Sequence, residues 1–300
     1  MRVLLVGWPS FVHGEATAGD VLALEAVRRR LTDAGLPCDT AWSPVFRPGA
    51  LTLEQARPDG YTHVVFACGP LHGEQVEGLH RRYARCRRVA VGVSVIDYAD
   101  PAVAGFHAVI PRDAPGAPAR CDLAASVGTP QVPVVGVVLA GRQREYGPRG
   151  RHRRVREELT GWLAGRECAR VPVETRLDAR DWRLAATAAE LESVLRRLDL
   201  VVTTRMHGLV LALKNQVPAL AVDPVAGGAK VTAQARAWSW PAVVTVPEHA
   251  PGPDLLDPAE LEHWWRWCLS EAGTARNRAR PEPVPLTADL IDALDMTRHR

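Results

Sequence analysis

Apolar residues along this 300-residue chain fall into two alternating patterns, short β-branched runs and longer stretches with apolar positions three and four apart. Val3 to Val6 reads as a first strand. After a long loop, Asp20 can cap a helix whose Leu24, Val27 and Leu31 share a face and which ends near Gly35. His63 to Cys68 and Val89 to Val95 read as buried strands, with Val76, Leu79 and Tyr83 at helical spacing between them. From Asp100 to Pro130 the chain is rich in Pro, Gly and Ala and keeps no period, so a domain boundary is expected near residue 130.

A second series follows. Val132 to Leu139 and Ala169 to Val173 read as strands, separated by a helix carrying Val155, Leu159, Trp162 and Leu163. Leu191, Val194, Leu195 and Leu198 mark another helix, Leu200 to Thr204 a strand, and Met206, Leu209, Val210 and Leu213 the helix after it. The strand Val217 to Val222, a loop, and a helix from about Lys230 come next, and Asp257-Pro258 opens a further helix in cap-then-proline order. Strands alternating with helices predict an α/β protein of two Rossmann-like lobes facing a cleft, residues 1–130 and 131–273. Residues 274–300 are expected to be a linker and a last helix, Leu286 to Met296, packing back on the first lobe.

Composition narrows the chemistry. The chain is 47% hydrophobic and 24% charged, which excludes disorder, and a net charge of +3 is too small to make nucleic acid the main partner. Its basic residues are 35 arginines and only two lysines, Lys214 and Lys230. That bias makes arginine density weak evidence for an anion site. The six cysteines are scattered without CxxC spacing, so a reduced, cytoplasmic setting is expected. No apolar run approaches the ~20 residues of a membrane helix, and no signal segment is evident. A GxGxxG turn, a phosphate loop, HExxH and GxSxG are all missing, and Gly227-Gly228-Ala229-Lys230 is followed by Val231 rather than by Ser or Thr.

Residues 200–230 carry the densest chemistry. Thr203 or Thr204 lies where strand gives way to helix, so a hydroxyl can cap and the first-turn amides can point at a ligand. A helix start at the carboxyl edge of a parallel sheet suits an anion, and Arg205 and His207 occupy that turn. The next strand ends at Asp223-Pro224, and a flexible Ala226-Gly227-Gly228 loop delivers Lys230, a compact ammonium in a chain that elsewhere prefers Arg. Each of these alone would pass as a surface charge or a packed imidazole. Together, around two adjacent strand ends, they point to an anion site.

These residues resemble the polysaccharide pyruvyl transferases. Thr204-Arg205-Met206-His207, Gln216-Val217-Pro218, Asp223 and Lys230 match that family's carboxy-terminal pattern in order. Gly19-Asp20, the strand Val64 to Gly69, Val91 to Ser94 and Arg112-Asp113 match the amino-terminal one. The likeness extends over about residues 1 to 240. Two positions depart: the family's Asn ahead of Gly-Asp corresponds to Thr17, and its glycine-rich turn is reduced to Gly69-Pro70. The resemblance implies a fold similar to the glycosyltransferase type B architecture. It also implies transfer of the enolpyruvyl unit of phosphoenolpyruvate onto sugar hydroxyls as a ketal, with release of phosphate. Arg205, Lys230, Arg142, Thr204 and Asp223 would bind phosphoenolpyruvate in the second lobe, with His207 as the acid, made stronger by the helix start and Arg205. Asp20 would contact or deprotonate the acceptor in the first lobe, with Gly19 and Ser94 beside it. Phosphoenolpyruvate enters as co-substrate, with no further cofactor and no metal. A nucleotide-sugar glycosyltransferase of similar fold, or a non-catalytic binding relative, are the alternatives.

Arg142 to Arg156 holds seven arginines and His152, and reads as a solvated loop and helix face rather than a nucleic-acid patch. His72, Glu74, Glu77 and His80 could gather, without a matching second pair for a metal. Trp264, Trp265 and Trp267 cannot all face one side of a helix, so one indole is expected at a lobe or subunit interface, or on a carbohydrate platform, which leaves room for a homo-oligomer.

Overall fold

Four consecutive buried residues, Val3–Val6, form β1 at the centre of a parallel sheet, the pattern expected of a strand covered on both faces. The computed structural model of the chain describes residues 1–249, 254–279 and 286–295. The chain divides into two units, Met1–Pro130 and Gln131–Arg300.

In the first unit β1 is followed by α1 (Ala18–Asp33), β2 (Cys38–Thr40), β3 (His63–Ala67), α2 (Gly73–Arg82), β4 (Arg87–Ser94), α3 (Pro101–Ala104) and β5 (Ala108–Asp113). All five strands are parallel, in the order β2-β1-β3-β4-β5. Alternate residues build the two faces. Leu4, Val6, Val64 and Phe66 enter the larger core with Val76 and Leu79 of α2, whereas Leu5 and Ala67 meet Leu24 of α1 on the other side.

The second unit repeats the plan. Its elements are β6 (Val134–Val138), α4 (His152–Ala164), β7 (Ala169–Pro172), α5 (Ala188–Leu195), β8 (Leu200–Thr203), α6 (Met206–Lys214), β9 (Ala219–Asp223), α7 (Lys230–Ala237), β10 (Val243–Thr245), α8 (Pro258–Cys268), α9 (Glu271–Arg278) and α10 (Leu286–Asp295). The order is β10-β9-β8-β6-β7, again all parallel. In each unit the chain leaves the first strand toward one edge and returns on the other side. The switch point is therefore at β1/β3 in the first unit and at β6/β8 in the second, where open α/β sheets place their ligands.

The α/β class and the two Rossmann-like sheets hold, and the differences have physical causes. β2, β5 and β10, three of the four edge strands, carry too weak a pattern to be read in the sequence. β2 is a half-buried Cys-Asp-Thr, β10 has three residues, and β5 contains Pro111, which only an edge tolerates. Residues 274–278, expected as linker, lie in α9, which Ser270 caps by accepting from the Gly273 amide. Residues 280–285 and Met296 of the expected linker and last helix lie outside the described residues. All three indoles of α8 pack on their own unit, Trp264 and Trp267 with part of their surface exposed. Trp265 is buried edge-on against Trp162 at 5.7 Å, and Trp267 meets Trp240 at 5.2 Å and Trp264 at 5.7 Å, all on the core of the second unit. Nor does His80 reach toward His72. Its Nε2 lies 2.9 Å from the Ala102 carbonyl, its ring stands edge-on to Phe106, and burial pushes its pKa down.

Candidate functional site

The carboxyl edge of the second sheet collects most of the residues singled out by sequence. α6 begins directly after β8, with Arg205 at its N-cap and no side chain capping the first-turn amides. Neither threonine caps, contrary to expectation. Thr203 is buried; its Oγ1 donates to the Val138 carbonyl at 2.9 Å and accepts from the Arg205 amide at 2.9 Å. Thr204 is also buried, and its Oγ1 accepts from the Ala140 amide at 2.8 Å. Both hydroxyls tie the end of β8 to the end of β6. Thr204 is thus a positioning residue and not a ligand contact. Gly208 lets α6 sit close on this junction, because a Cβ there would lie 2.3 Å from Thr203 Oγ1 and 2.9 Å from a Val138 methyl.

Arg205 does not stand free. Its Nη1 is paired with Glu174, which follows β7, the edge neighbour of β6. Partial burial pushes the Glu174 carboxyl up, but the Arg176 amide and the Arg205 guanidinium outweigh it and hold the group below the usual carboxylate range. Glu174 escaped the sequence reading, which did not derive the strand order that brings it beside β6. His207 is exposed in the first turn of α6. Arg142, in the loop after β6, is exposed and in no ion pair among the described residues. Arg142, Arg205 and His207 thus follow the two strands that bracket the switch point.

Asp223 departs furthest from its expected role. It is wholly buried, and its carboxylate accepts from the amides of Val225 (3.1 Å), Ala229 (2.7 Å) and Thr232 (2.9 Å) and from the Thr232 hydroxyl (3.0 Å). A carboxylate so engaged cannot face a ligand; it fixes the turn between β9 and α7. That turn is also not the flexible loop expected. The Gly227 amide donates to the Val246 carbonyl at 2.9 Å, and the Arg149 guanidinium donates to the Ala226 carbonyl at 2.8 Å and the Gly228 carbonyl at 3.1 Å. Lys230 emerges from it as the first residue of α7. Its Nζ lies 5.7 Å over the Tyr146 ring and 3.9 Å from Glu145. Arg149, inside the arginine-rich stretch read as solvated, therefore joins the site, whereas Arg153 and Arg154 pair along α4 with Glu157 and Glu158 as a solvated face would. His152 beside them is 6% exposed, faces Tyr146, and is held below the ordinary histidine range by burial.

The first unit has its own pocket, of about 660 Å³, at the β1/β3 switch point. Residues following β1, including Trp8, Gly19 and Asp20, meet Cys68, Gly69 and Pro70 following β3 and Arg112 of β5. Thr17, not Asp20, caps α1. Its Oγ1 accepts from the Asp20 amide at 3.2 Å, and Asp20 Oδ2 accepts from the Thr17 hydroxyl at 2.6 Å. Asp20 nevertheless lines the pocket, beside Cys68, whose thiol burial pushes up to about 11. Gly69 is left-handed at φ 74° with the Trp8 indole where a Cβ would stand, so the shortened Gly69-Pro70 turn fits closely around that ring. Ser94 does not line the pocket. Its hydroxyl donates to Asp113 at 3.0 Å and accepts from Arg112 at 2.5 Å, so it orients the arginine instead.

Residues 164–224 match the family model described as polysaccharide pyruvyl transferase, a segment that contains Glu174, Thr204, Arg205, His207 and Asp223. No curated protein matches the chain by sequence. Among solved structures, the UDP-GlcNAc 2-epimerase of Methanocaldococcus jannaschii aligns at 9% identity and a TM-score of 0.33, over 94% of this chain and 95% of its own. The E. coli heptosyltransferase WaaC with ADP aligns at 15% identity and 0.28, over 89% and 100%. The spinosyn forosaminyltransferase SpnP aligns at 13% and 0.32, over 99% of each.

Proposed function

We propose that the protein transfers the enolpyruvyl unit of phosphoenolpyruvate onto hydroxyls of a sugar-containing acceptor, forming a pyruvate ketal and releasing phosphate. The observation that carries this reading is the Arg205-Met206-His207 helix start at the β6/β8 switch point, inside the segment that matches the pyruvyl transferase family model. Phosphoenolpyruvate offers a phosphate and a carboxylate. The uncapped first-turn amides of α6, Arg205 and Arg142 supply donors for these, and Lys230 supplies a point charge at the adjacent strand end. Glu174 must yield Arg205 or share it when the anion binds.

His207, exposed in the same turn, gives its proton to the methylene carbon of phosphoenolpyruvate. Charge then develops at C2, an acceptor hydroxyl adds there, and phosphate departs as the neighbouring hydroxyl closes the ketal. The two hydroxyl protons leave in balance, one restoring His207 and one going to phosphate. Asp20 lies on the pocket of the first unit, where its carboxylate can accept a hydrogen bond from an acceptor hydroxyl. Asp223, Thr203 and Thr204 act only by holding Lys230 and Arg205 in place.

The test is thermal stabilisation by phosphoenolpyruvate of the wild type and of Arg205→Ala and Lys230→Ala, with a nucleoside diphosphate as the comparison. Each lost charge-assisted contact should weaken binding by roughly 1.5–3 kcal/mol, on the order of tenfold to a hundredfold in Kd. Equal shifts in all three proteins would remove the donor site, and stabilisation by the nucleotide alone would favour a nucleotide-sugar transferase. Stabilisation without phosphate release across a broad acceptor panel would favour a binding protein.

A further inference from the structure

The pocket of the first unit has a charge character that restricts what can enter it. The one arginine of its lining is paired on both sides with carboxylates: Arg112 Nε donates to Asp113 at 2.7 Å, Nη1 to Asp122 at 2.5 Å and Nη2 to Ser94 at 2.5 Å. The pairing holds the guanidinium pKa above its ordinary value, engages three of its five N–H groups and sets its charge against the carboxylates of Asp113 and Asp122, which leaves little positive charge for a ligand phosphate or carboxylate. Neither of the chain's two lysines, Lys214 and Lys230, lines this pocket. Against this, the lining contains the carboxylates of Glu15 and Asp20 in addition to Asp122. Glu15 is exposed and in no ion pair among the described residues, and the hydrogen bonds of Asp20 to Thr17 occupy only Oδ2. The wall is therefore net negative.

One side of the pocket is a fixed aromatic surface. Trp8 Nε1 donates to the Pro70 carbonyl at 3.2 Å, Phe66 and Phe11 meet the indole edge-on from the core, and His72 lies 5.2 Å from it at a tilt of 34°. An indole held on three sides presents its remaining surface without rotamer cost, next to carboxylates that accept hydroxyl or ammonium hydrogen bonds. The volume, about 660 Å³, is that of a small-molecule site.

We infer that this pocket binds a glycoside that is neutral or carries an amine, and turns away sugar phosphates and uronic acids. The inference rests on the reading of this unit as the acceptor side, and it names the acceptor's class. It also separates the two units by ligand charge: the anion goes to the second, the uncharged or cationic ring to the first.

The experiment is calorimetric titration of the full chain at pH 8, without phosphoenolpyruvate, so that imidazolium charge stays out of the comparison. The ligands are methyl hexosides, their 2-amino counterparts, the matching uronic acids and the 6-phosphates. Neutral and amino glycosides should bind at least tenfold more tightly than the anionic ones. Trp8→Ala should lose that binding, and the double variant Glu15→Gln, Asp20→Asn, which keeps the capping oxygen, should narrow the gap between amino and anionic sugars at least threefold. Equal or tighter binding of the anionic members, no binding by any member, or a gap unchanged in the double variant would overturn the inference. Failure here with phosphoenolpyruvate binding intact leaves the pyruvyl reading standing, whereas loss of phosphoenolpyruvate binding alone removes that reading and not the sugar preference.

Discussion

Arg205 already grips the Glu174 carboxylate, and any anionic ligand must share or displace that partner. Glu174→Gln removes the competing charge while keeping an acceptor for the Arg176 amide, so it should tighten phosphoenolpyruvate binding severalfold by calorimetry. The sign with pH follows from the depressed carboxyl: a group held below its ordinary value contributes above that range and loses its contribution as pH falls through the folded pKa. The gain should therefore stay constant between pH 6 and 8. Asp223 behaves in the opposite way, because its buried oxygens serve four donors. Asp223→Ala should cost about 3 kcal/mol or more in urea unfolding, since it strands several buried N–H groups. Thiol chemistry offers a further check. Of six free cysteines only Cys121 is exposed, and burial pushes up the thiols of Cys68, Cys86 and Cys268, so a disulfide reagent should label one thiol quickly in the native protein.

At the scale of elements, α6 shows how a helix is aimed. Gly208 brings it onto Thr203 and Val138, and the same approach sets where Arg205 and His207 emerge. Gly208→Ala should push the helix off the sheet, costing on the order of 1–3 kcal/mol, and should weaken phosphoenolpyruvate binding more than an exposed substitution elsewhere on α6 would. Central elements of this kind were legible in the sequence: β1, β3, β8 and α6 carry continuous apolar runs or a clear 3.6 period, and all are sandwiched. The edge strands β2, β5 and β10 were not, because one unpaired side relaxes the demand for a pattern, as in the Pro111 of β5, although the edge strand β7 was read. The site divides along similar lines. Arg205, His207 and Lys230 were legible from their places at helix starts. The burial of Asp223 and Thr204 depended on donors up to 64 residues away or on a turn whose closure the sequence does not display.

The two units carry the same strand order on unrelated sequences, and each places its candidate residues at the switch point of its own sheet. Ligands assigned to different units should then leave different footprints. In hydrogen exchange, phosphoenolpyruvate should protect the amides of residues 203–209 and 226–232 while leaving residues 1–130 little changed, and a neutral glycoside should protect residues 7–20 and 68–72 instead. Protection in the reverse pattern would exchange the roles of the two sheets.

The contact of Lys230 with Tyr146 has a spectroscopic consequence. With only two lysines in the chain, reductive methylation with labelled formaldehyde would give two side-chain methylamine signals and that of the amino terminus. Lys214, paired with Glu192 at 2.5 Å, has no such ring beneath it among the described residues, whereas the Lys230 ammonium sits 5.7 Å over an aromatic face and should resonate apart from it by ring current. The scarcity of lysine thus supplies a built-in magnetic reporter on α7, whose movement on adding an anion could be followed without altering a single codon.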